Sequence, residues 1–522
     1  MNASNRINDF STCQYYLFLI SIIGITIFSQ TLTYPNTDIA WLTLCADRLL
    51  KGGKFYTDIF ELNLPFSVLL YIPSVVISKI LPLSSYIITY LLSALLTLLC
   101  AWLSTLIIEH YPNNINNLSK YSDPTHSNNL TKPLFLSSHS FFISIVAASM
   151  ITSLGALGER DHIIGLCVFP YSLLLLSPKG LKLKLHVNIN IIIFILLGIG
   201  IILKPYYLLS LLSLHIFSYI LYQSFRFSLP LFLTLTTVGS LLLISIFFIF
   251  PEWLSILPII KLAYPGYNRT FLFTLQALFF YLLSPLAYII LQIKNKNQTL
   301  FFMRNHLIKN LLLISLSMLP VYLLQCKGWY YHALPVTIPL WVVAFSIINR
   351  KRSFILFILF LLSAHVAYLR YSDKDFYDTP YYQWIFSTLK KNATAGDTYL
   401  CLSSNLNCNF PLSLSGPYKL ISRYPSLWPS YGIKEEWHAG HVTQATFLRY
   451  FHQDMINTLE DIRKEPPKII LIQWKRTSKG LIEDFSNEKD FIELLTRDYH
   501  RVGQKDYEDN WSTWIYIRHA AI

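Results

Sequence analysis

The residues best suited to chemistry are four carboxylates in residues 35–65, directly after the first apolar segment. They are Asp38, Asp47, Asp58 and Glu61. A carboxylate beside a membrane span is costly unless it is paired or functional. This stretch is therefore the first place to look for an acid, a base or a metal ligand.

Asp38 has two interpretations. Its carboxylate could act as a general base toward an acceptor hydroxyl, or it could help to hold a divalent metal ion. Alternatively, Asn36, Thr37 or Asp38 caps a helix predicted over 39–50. From the residue alone, the cap is the favoured interpretation of Asp38. Glu61 is predicted to orient the acceptor or hold the metal, and Asp47 and Asp58 are predicted to serve as cap, pair or turn residues.

A second group of ionisable residues stands where another apolar segment begins. Glu159, Arg160, Asp161 and His162 are consecutive, a costly arrangement at a span end unless the charges pair or act on a ligand. Arg160 is predicted to bind a phosphate, and the other three to hold a metal or orient the acceptor. The alternative is an interfacial cluster with an internal Glu–Arg pair.

Two further strings combine cations with aromatic rings, KPYY at 204–207 and QCKGWYYH at 325–332. Ammonium and imidazole groups suit a lipid-linked phosphate, and aromatic rings offer faces to a sugar. The alternative is a belt of interfacial aromatic residues with a snorkelling lysine. Phosphate binding is predicted for Lys204 and Lys327, a metal- or acceptor-orienting role for His332, and sugar stacking for Trp329 and Tyr330.

The elements that carry these motifs are predicted to be membrane spans. The 522 residues are 53% hydrophobic and only 14% charged, and apolar runs of the length that crosses a bilayer recur. We predict a polytopic α-helical membrane protein with about 11–12 transmembrane helices over residues 1–370. The candidate segments are 15–34, 66–81, 85–108, 138–157, 162–177, 187–203, 206–222, 229–250, 271–292, 310–326, 333–349 and 353–369.

The net charge of +13 reflects topology rather than nucleic-acid binding. Lysines and arginines gather in short loops at 179–184, 294–309 and 350–352, which marks these loops as cytoplasmic. Alternation then predicts that the motifs above face outward. The segment 66–81, which contains Pro73, breaks this alternation if it crosses fully, so it is predicted to be a partial or tilted span.

Residues 371–522 are polar and are predicted to form an extracytoplasmic soluble α/β domain. Strand-like segments at 398–404 and 468–474, a helix at 444–463 and another at 487–497 precede a strand pair within 500–518. Cys401 and Cys408 could form a disulfide in an oxidising compartment. His438 and His441 are more consistent with a surface or core pair than with a metal site.

The first loop resembles that of the polyprenyl-phosphate-dependent glycosyltransferases of the GT-C superfamily, the group of protein O-mannosyltransferases and aminoarabinose lipid A transferases. The resemblance lies in Asp38 after the first span, the LLKGGKFY turn, Asp58 and the ELNLP string that opens the next segment. It departs where Phe55 replaces a proline and Leu64-Pro65 replaces a double proline. Relatives also carry an acidic residue at the position of Glu159 or Asp161, and bacterial members have turns like KGWYYH.

The resemblance implies a GT-C-like fold and transfer of a sugar from a polyprenyl-phosphate donor to an unknown lipid, glycan or protein acceptor. It also makes Asp38 the predicted catalytic base. It places the chain in a bacterial cytoplasmic membrane, with the lipid bilayer as a partner and a divalent metal ion as a candidate cofactor. Two alternatives remain open. A transporter of lipid-linked sugars would show internal repeats or helices broken at the bilayer midplane, and a non-catalytic assembly factor would tolerate replacement of Asp38.

Overall fold

The fold is described from a computed structural model and divides into two compact units. The structure describes residues 12–31, 36–109, 138–177, 186–222, 228–292, 305–346, 380–410, 412–415, 418–475, 484–485, 487–506 and 511–519. The membrane unit comprises Met1–Leu32, Ile87–Leu242 and Arg269–Tyr371. The sheet unit comprises Thr33–Tyr86, Leu243–Asn268 and Ser372–Ile522.

Helices dominate the described residues. In chain order they are α1 (Thr12–Thr31), α2 (Thr37–Leu50), α3 (Phe66–Leu69), α4 (Ile72–Ile80), α5 (Ser85–Glu109), α6 (Ser138–Thr152), α7 (Arg160–Leu175), α8 (Val187–Leu203), α9 (Leu208–Tyr222), α10 (Leu229–Ile244), α11 (Leu257–Ala263), α12 (Phe271–Gln292), α13 (His306–Gln325), α14 (Tyr330–Ser346), α15 (Pro380–Asn392), α16 (Leu412–Ser415), α17 (Trp428–His438), α18 (Gln444–Lys464) and α19 (Lys489–Asp498). The strands are β1 (Thr398–Leu402), β2 (Lys419–Leu420), β3 (Ile469–Lys475), β4 (Tyr499–Asp506) and β5 (Trp511–Arg518).

Most predicted apolar segments coincide with helices. Five helical segments among the described residues are long and apolar enough to cross a membrane: Ser85–Glu109, Pro205–Tyr222, Leu229–Ile249, Phe271–Leu291 and His306–Gln325. Shorter apolar helices run over Tyr16–Thr31, Phe66–Ile80, Ser138–Thr152 and Val187–Leu203. The predicted segment 353–369 and the basic residues at 179–184, 294–304 and 350–352 lie outside the described residues.

The ambiguous segment 66–81 forms two short helices rather than one span. Leu70 and Tyr71 separate α3 from α4, and Pro73 stands in the first turn of α4. A helix over Phe66–Ile80 is roughly 22 Å long, whereas a bilayer core is about 30 Å thick. The segment is grouped with the sheet unit.

Small residues let the helices of the membrane unit approach closely. A Cβ added at Gly165 of α7 would lie 3.3 Å from Pro335 Cα of α14, and one at Gly200 of α8 would lie 3.0 Å from Val168 Cγ2 of α7. Small residues at helix interfaces are the usual means of close packing in membranes. As a result, α7 packs closely against both α8 and α14.

The sheet unit is built on a mixed five-stranded sheet with strand order β2-β1-β3-β5-β4. The pairs β1–β2 and β1–β3 are parallel, whereas β3–β5 and β4–β5 are antiparallel. Helices α17, α18 and α19 contribute to a buried core with Ile470 and Ile472 of β3, and this core includes Phe447, Phe451 and Phe491. The predicted strands and helices of this region are confirmed, and Cys401 and Cys408 are joined by a disulfide.

The first loop and the segment before α12 belong to this unit and pack on it. A Cβ added at Gly266 would overlap Gly432 O of α17, so the two backbones touch where neither residue carries a side chain. The Tyr267 hydroxyl donates to Trp428 O at 2.8 Å. Asp58 pairs with Lys464 at 2.6 Å and accepts from Lys54 N at 3.0 Å, which confirms its predicted pair and turn roles.

Candidate functional site

A glycine-rich turn delivers the second predicted motif to the start of α7. Gly155 and Gly158 adopt φ values of 80° and 85°, which glycine tolerates best. Glu159 is the N-cap of α7 and is fully buried, and its Oε2 accepts from Arg160 N at 3.3 Å. Asp161 therefore lies in the first turn, where the helix dipole favours a negative charge.

The other two strings interrupt helices at breaks dictated by their own residues. Lys204 ends α8 in an extended conformation, because the residue before a proline is disfavoured in the helical region. Cys326 ends α13 in the left-handed conformation with a φ of 49°, and Gly328 follows with a φ of 66°. Lys327 thus lies in a tight turn, and His332 falls in the first turn of α14.

These three breaks converge on the Asp161 carboxylate. Lys204 Nζ lies 2.5 Å from Asp161 Oδ2, and the Tyr207 hydroxyl donates to Oδ1 at 2.9 Å. His332 Nε2 lies 3.8 Å from Oδ2. Asp161 is fully buried, and the side chains of Lys204 and His332 are exposed by only 8% and 6%. Three motifs separated in the sequence therefore meet in one buried polar cluster.

Gln325 completes what we call the Asp161 cluster, namely Asp161, Lys204, Tyr207, Gln325 and His332. Gln325 Oε1 accepts from Lys204 Nζ at 3.3 Å and from the Tyr206 hydroxyl at 3.2 Å. Gln325 Nε2 and His332 Nδ1 are buried and have no hydrogen-bond partner within the described part of the chain. Buried amide and imidazole nitrogens of this kind normally have a partner, so the cluster is suited to a polar ligand.

Further cations surround the cluster. Arg160 lies within electrostatic range of Lys204 and His332, and Lys327 within range of His332 and Arg269. Arg160 and Lys327 are each only 6% exposed. Burial lowers the pKa of Lys327 to about 8. Among the described residues of this region, the buried cations Arg160, Lys204 and Lys327 outnumber the carboxylates of Glu159 and Asp161, an imbalance that favours an anionic ligand.

Other predicted residues of the membrane unit take part in its packing. His162 is fully buried, and its Nε2 lies 2.9 Å from Ser149 Oγ while Gly158 N donates to its Nδ1 at 3.4 Å. The Tyr330 hydroxyl donates to Thr152 O, and its ring lies 5.2 Å from that of Tyr281. Trp329 is 40% exposed. Of the two predicted sugar-stacking rings, only Trp329 presents substantial surface.

Asp38 and Glu61 belong to the sheet unit. Asn36 is the N-cap of α2, and its Oδ1 accepts from Asp38 N at 2.8 Å, so the predicted cap is Asn36 and Asp38 lies half-buried in the first helical turn. Glu61 is buried and accepts from Trp41 Nε1 at 2.6 Å and from Asn63 N at 2.7 Å. These bonds fix Glu61 within the loop.

A divalent metal ion is the predicted candidate cofactor, and the donor set described by the structure does not fit one. No group of three or more His, Cys, Asp or Glu side chains that could hold a metal ion occurs within the described ranges. The Asp161 carboxylate is already engaged by the Lys204 ammonium and the Tyr207 hydroxyl. We therefore derive no chemical step through a metal.

Sequence reasoning missed two members of the cluster, Tyr207 and Gln325. Both lie inside the strings that carried the predictions, three residues after Lys204 and two before Lys327. Their signal was the presence of a polar side chain close to a cation at a helix break. Only the fold reveals that their hydrogen bonds meet at Asp161 and Lys204.

The fold defines a class: a multi-pass membrane protein with a GT-C-like fold and a small C-terminal sheet domain. One solved structure with a similar fold is ArnT from Cupriavidus metallidurans bound to undecaprenyl phosphate, with a TM-score of 0.55 over 97% of this chain and 98% of that chain. The two sequences are 10% identical, so the likeness shows the fold. No protein-family model matches the chain, and no curated protein matches it.

Proposed function

We propose that the chain is a membrane glycosyltransferase that transfers a sugar from a polyprenyl-phosphate donor to a lipid, glycan or protein acceptor. The observation that carries the proposal is the convergence of three sequence motifs on one buried, cation-rich cluster within a GT-C-like fold. ArnT, which has this fold, was solved with undecaprenyl phosphate bound. A lipid-linked phosphate supplies the anion that such a cluster favours.

The Asp161 cluster would bind the donor phosphate and stabilise it as it leaves. Lys204 is held in place by Asp161 and Gln325, and the Gln325 amide adds a buried donor. Arg160 and Lys327 contribute positive charge. Donors fixed in advance inside an apolar environment stabilise developing charge without reorganisation, which is usually the largest contribution to catalysis.

The bond changes in the proposed reaction are simple. The acceptor hydroxyl oxygen attacks the anomeric carbon of the donor sugar, and the bond between that carbon and the phosphate oxygen breaks. The electron pair leaves on the phosphate oxygen, and polyprenyl phosphate is released. Asp38 accepts the hydroxyl proton, as its position after the first span predicts.

We further propose a bacterial cytoplasmic membrane as the location, with the C-terminal domain outside the cytoplasm. Three short basic loops in the sequence support this orientation. The Cys401–Cys408 disulfide also supports it, because structural disulfides persist in oxidising compartments.

The test is a transfer assay with purified full-length protein in vesicles that contain a polyprenyl-phosphate sugar. The Asp38→Asn variant should lose at least about a hundredfold in transfer rate, since removal of a general base costs that much. Asp47→Asn is the matched control on the same helix, because Asp47 makes surface pairs with Lys51 and Lys79. It should retain the wild-type rate.

Two outcomes would contradict the proposal. Unchanged transfer by Asp38→Asn would remove the catalytic role from that residue. Movement of the donor across the vesicle bilayer without any sugar transfer would indicate that the protein is a transporter of lipid-linked sugars and not an enzyme.

A further inference from the structure

The geometry points to Arg48 as a positioning residue: it fixes helix α2, and with it Asp38, on the edge of the C-terminal sheet. This inference rests on the proposed function for its catalytic consequence. Arg48 lies in the last turn of α2, whose first turn contains Asp38. Because α2 is a continuous helix, a shift at one end moves the other.

Arg48 forks onto three backbone carbonyls. Its Nη1 donates to Ser422 O at 2.6 Å and to Asp58 O at 3.2 Å, and its Nη2 donates to Leu420 O at 2.6 Å. Leu420 is in β2, an outer strand of the sheet. An edge strand leaves carbonyls without a strand partner, and the planar guanidinium satisfies neighbouring acceptors at once.

The segment that receives Arg48 is itself anchored. Arg423 donates from its backbone N and its Nε to Asp461 of α18, each at 2.9 Å. In return, Phe60 N of the first loop donates to Arg423 O at 2.7 Å, and the Phe60 and Tyr424 rings lie 4.6 Å apart. The C-terminal domain therefore holds the first loop through its backbone rather than through surface charge alone.

The N-terminal half of α2 is fixed as well. Trp41 Nε1 donates to the buried Glu61 carboxylate at 2.6 Å, and the Trp41 ring lies 6.1 Å from that of Phe410. Residues Ile39–Leu42 of α2 are buried. With Trp41 fixed near one end and Arg48 at the other, the direction of α2 is set, and so is the place of Asp38 within the sheet unit.

The experiment compares Arg48→Lys with Asp58→Asn in the purified full-length protein. Lysine keeps the charge but cannot fork onto two carbonyls. Amide hydrogen exchange over residues 37–50 should quicken at least about tenfold in Arg48→Lys. The kcat for sugar transfer should fall about ten- to a hundredfold with the donor KM within about twofold of wild type, since small misplacements of a catalytic group carry such costs. Asp58→Asn keeps the backbone carbonyl that accepts from Arg48 and a side-chain oxygen for Lys54 N, but it removes the charged pair with Lys464. It should change neither quantity more than about twofold.

Unchanged exchange over residues 37–50 in Arg48→Lys would overturn the anchoring of α2. Faster exchange with an unchanged kcat would overturn the positioning role. If the wild-type protein transfers no sugar, the proposed function fails instead, and the exchange measurement alone decides whether Arg48 anchors α2.

Discussion

At the scale of single residues, the Asp161–Lys204 pair explains how charge is kept in an apolar environment. Each partner would be costly alone, and a buried pair is stable only when further hydrogen bonds satisfy both groups. Tyr207 supplies one to Asp161, and Gln325 accepts one from Lys204. The pair therefore holds the Lys204 ammonium in a fixed place.

The charge of Lys327 should make kcat/KM for the donor depend on pH. Because burial lowers the pKa of Lys327 to about 8, its positive charge is present below that pH and is lost as the pH rises through it. If this charge binds the donor phosphate, kcat/KM for the donor should fall above about pH 8. Arginine stays charged throughout this range, so Lys327→Arg should move the alkaline fall to higher pH. A wild-type kcat/KM that is flat to about pH 9.5, more than a unit past that pKa, or a fall that Lys327→Arg leaves in place, would contradict this role.

At the scale of elements, the sequence predicted helices and strands well where periodicity and length were clear. The predicted segments 187–203 and 271–292 match α8 and α12 residue for residue. It missed α17, because Trp428–His438 carries Pro429 and Gly432 and has no clear apolar stripe. Tertiary contacts stabilise this helix, since Gly432 lies against Ala263 and Gly266.

A buried hydrogen bond to Asp454 joins α17 to α18, and its contribution to stability should depend on pH. The Ser430 hydroxyl of α17 donates to the buried Asp454 carboxylate of α18, and burial raises the Asp454 pKa to about 6. Folding therefore favours the protonated form. This contribution to stability is complete below about pH 4 and is lost as the pH rises through about 6, at a cost of roughly 3 kcal/mol.

Asp454→Asn removes that titration. Between about pH 5 and about pH 7.5, a range that brackets this pKa, the thermal unfolding midpoint of the full-length wild type should fall more than that of the variant. The variant should be the more stable protein at the upper end of the range. Parallel midpoints for the two proteins across it would show that Asp454 is not the group responsible.

At the scale of the whole molecule, the sequence predicted a polytopic α-helical membrane protein with a GT-C-like fold, and the structure bears out that fold. The sequence also identifies Asp161, Lys204 and His332 as candidate site residues, and the structure places the three side chains together. It did not predict that residues 33–86 and 243–268 would group with the C-terminal domain. That grouping depends on backbone contacts such as those of Arg48 and Gly266, which leave no periodic pattern in the sequence.

The central claim is that the Asp161 cluster binds the phosphate of a polyprenyl lipid. A double variant, Asp161→Asn with Lys204→Met, tests it best, because removing Lys204 alone would leave a buried carboxylate without its cation. Lys309→Met is the matched control, since Lys309 is an exposed residue of α13 in the same unit.

The most direct measurement is equilibrium binding of polyprenyl phosphate to the detergent-purified full-length protein. The wild type and Lys309→Met should bind with equal affinity, and the double variant should bind at least about tenfold more weakly, the effect of losing a charged hydrogen bond. Wild-type affinity in the double variant, or no binding of polyprenyl phosphate to the wild type, would contradict the claim.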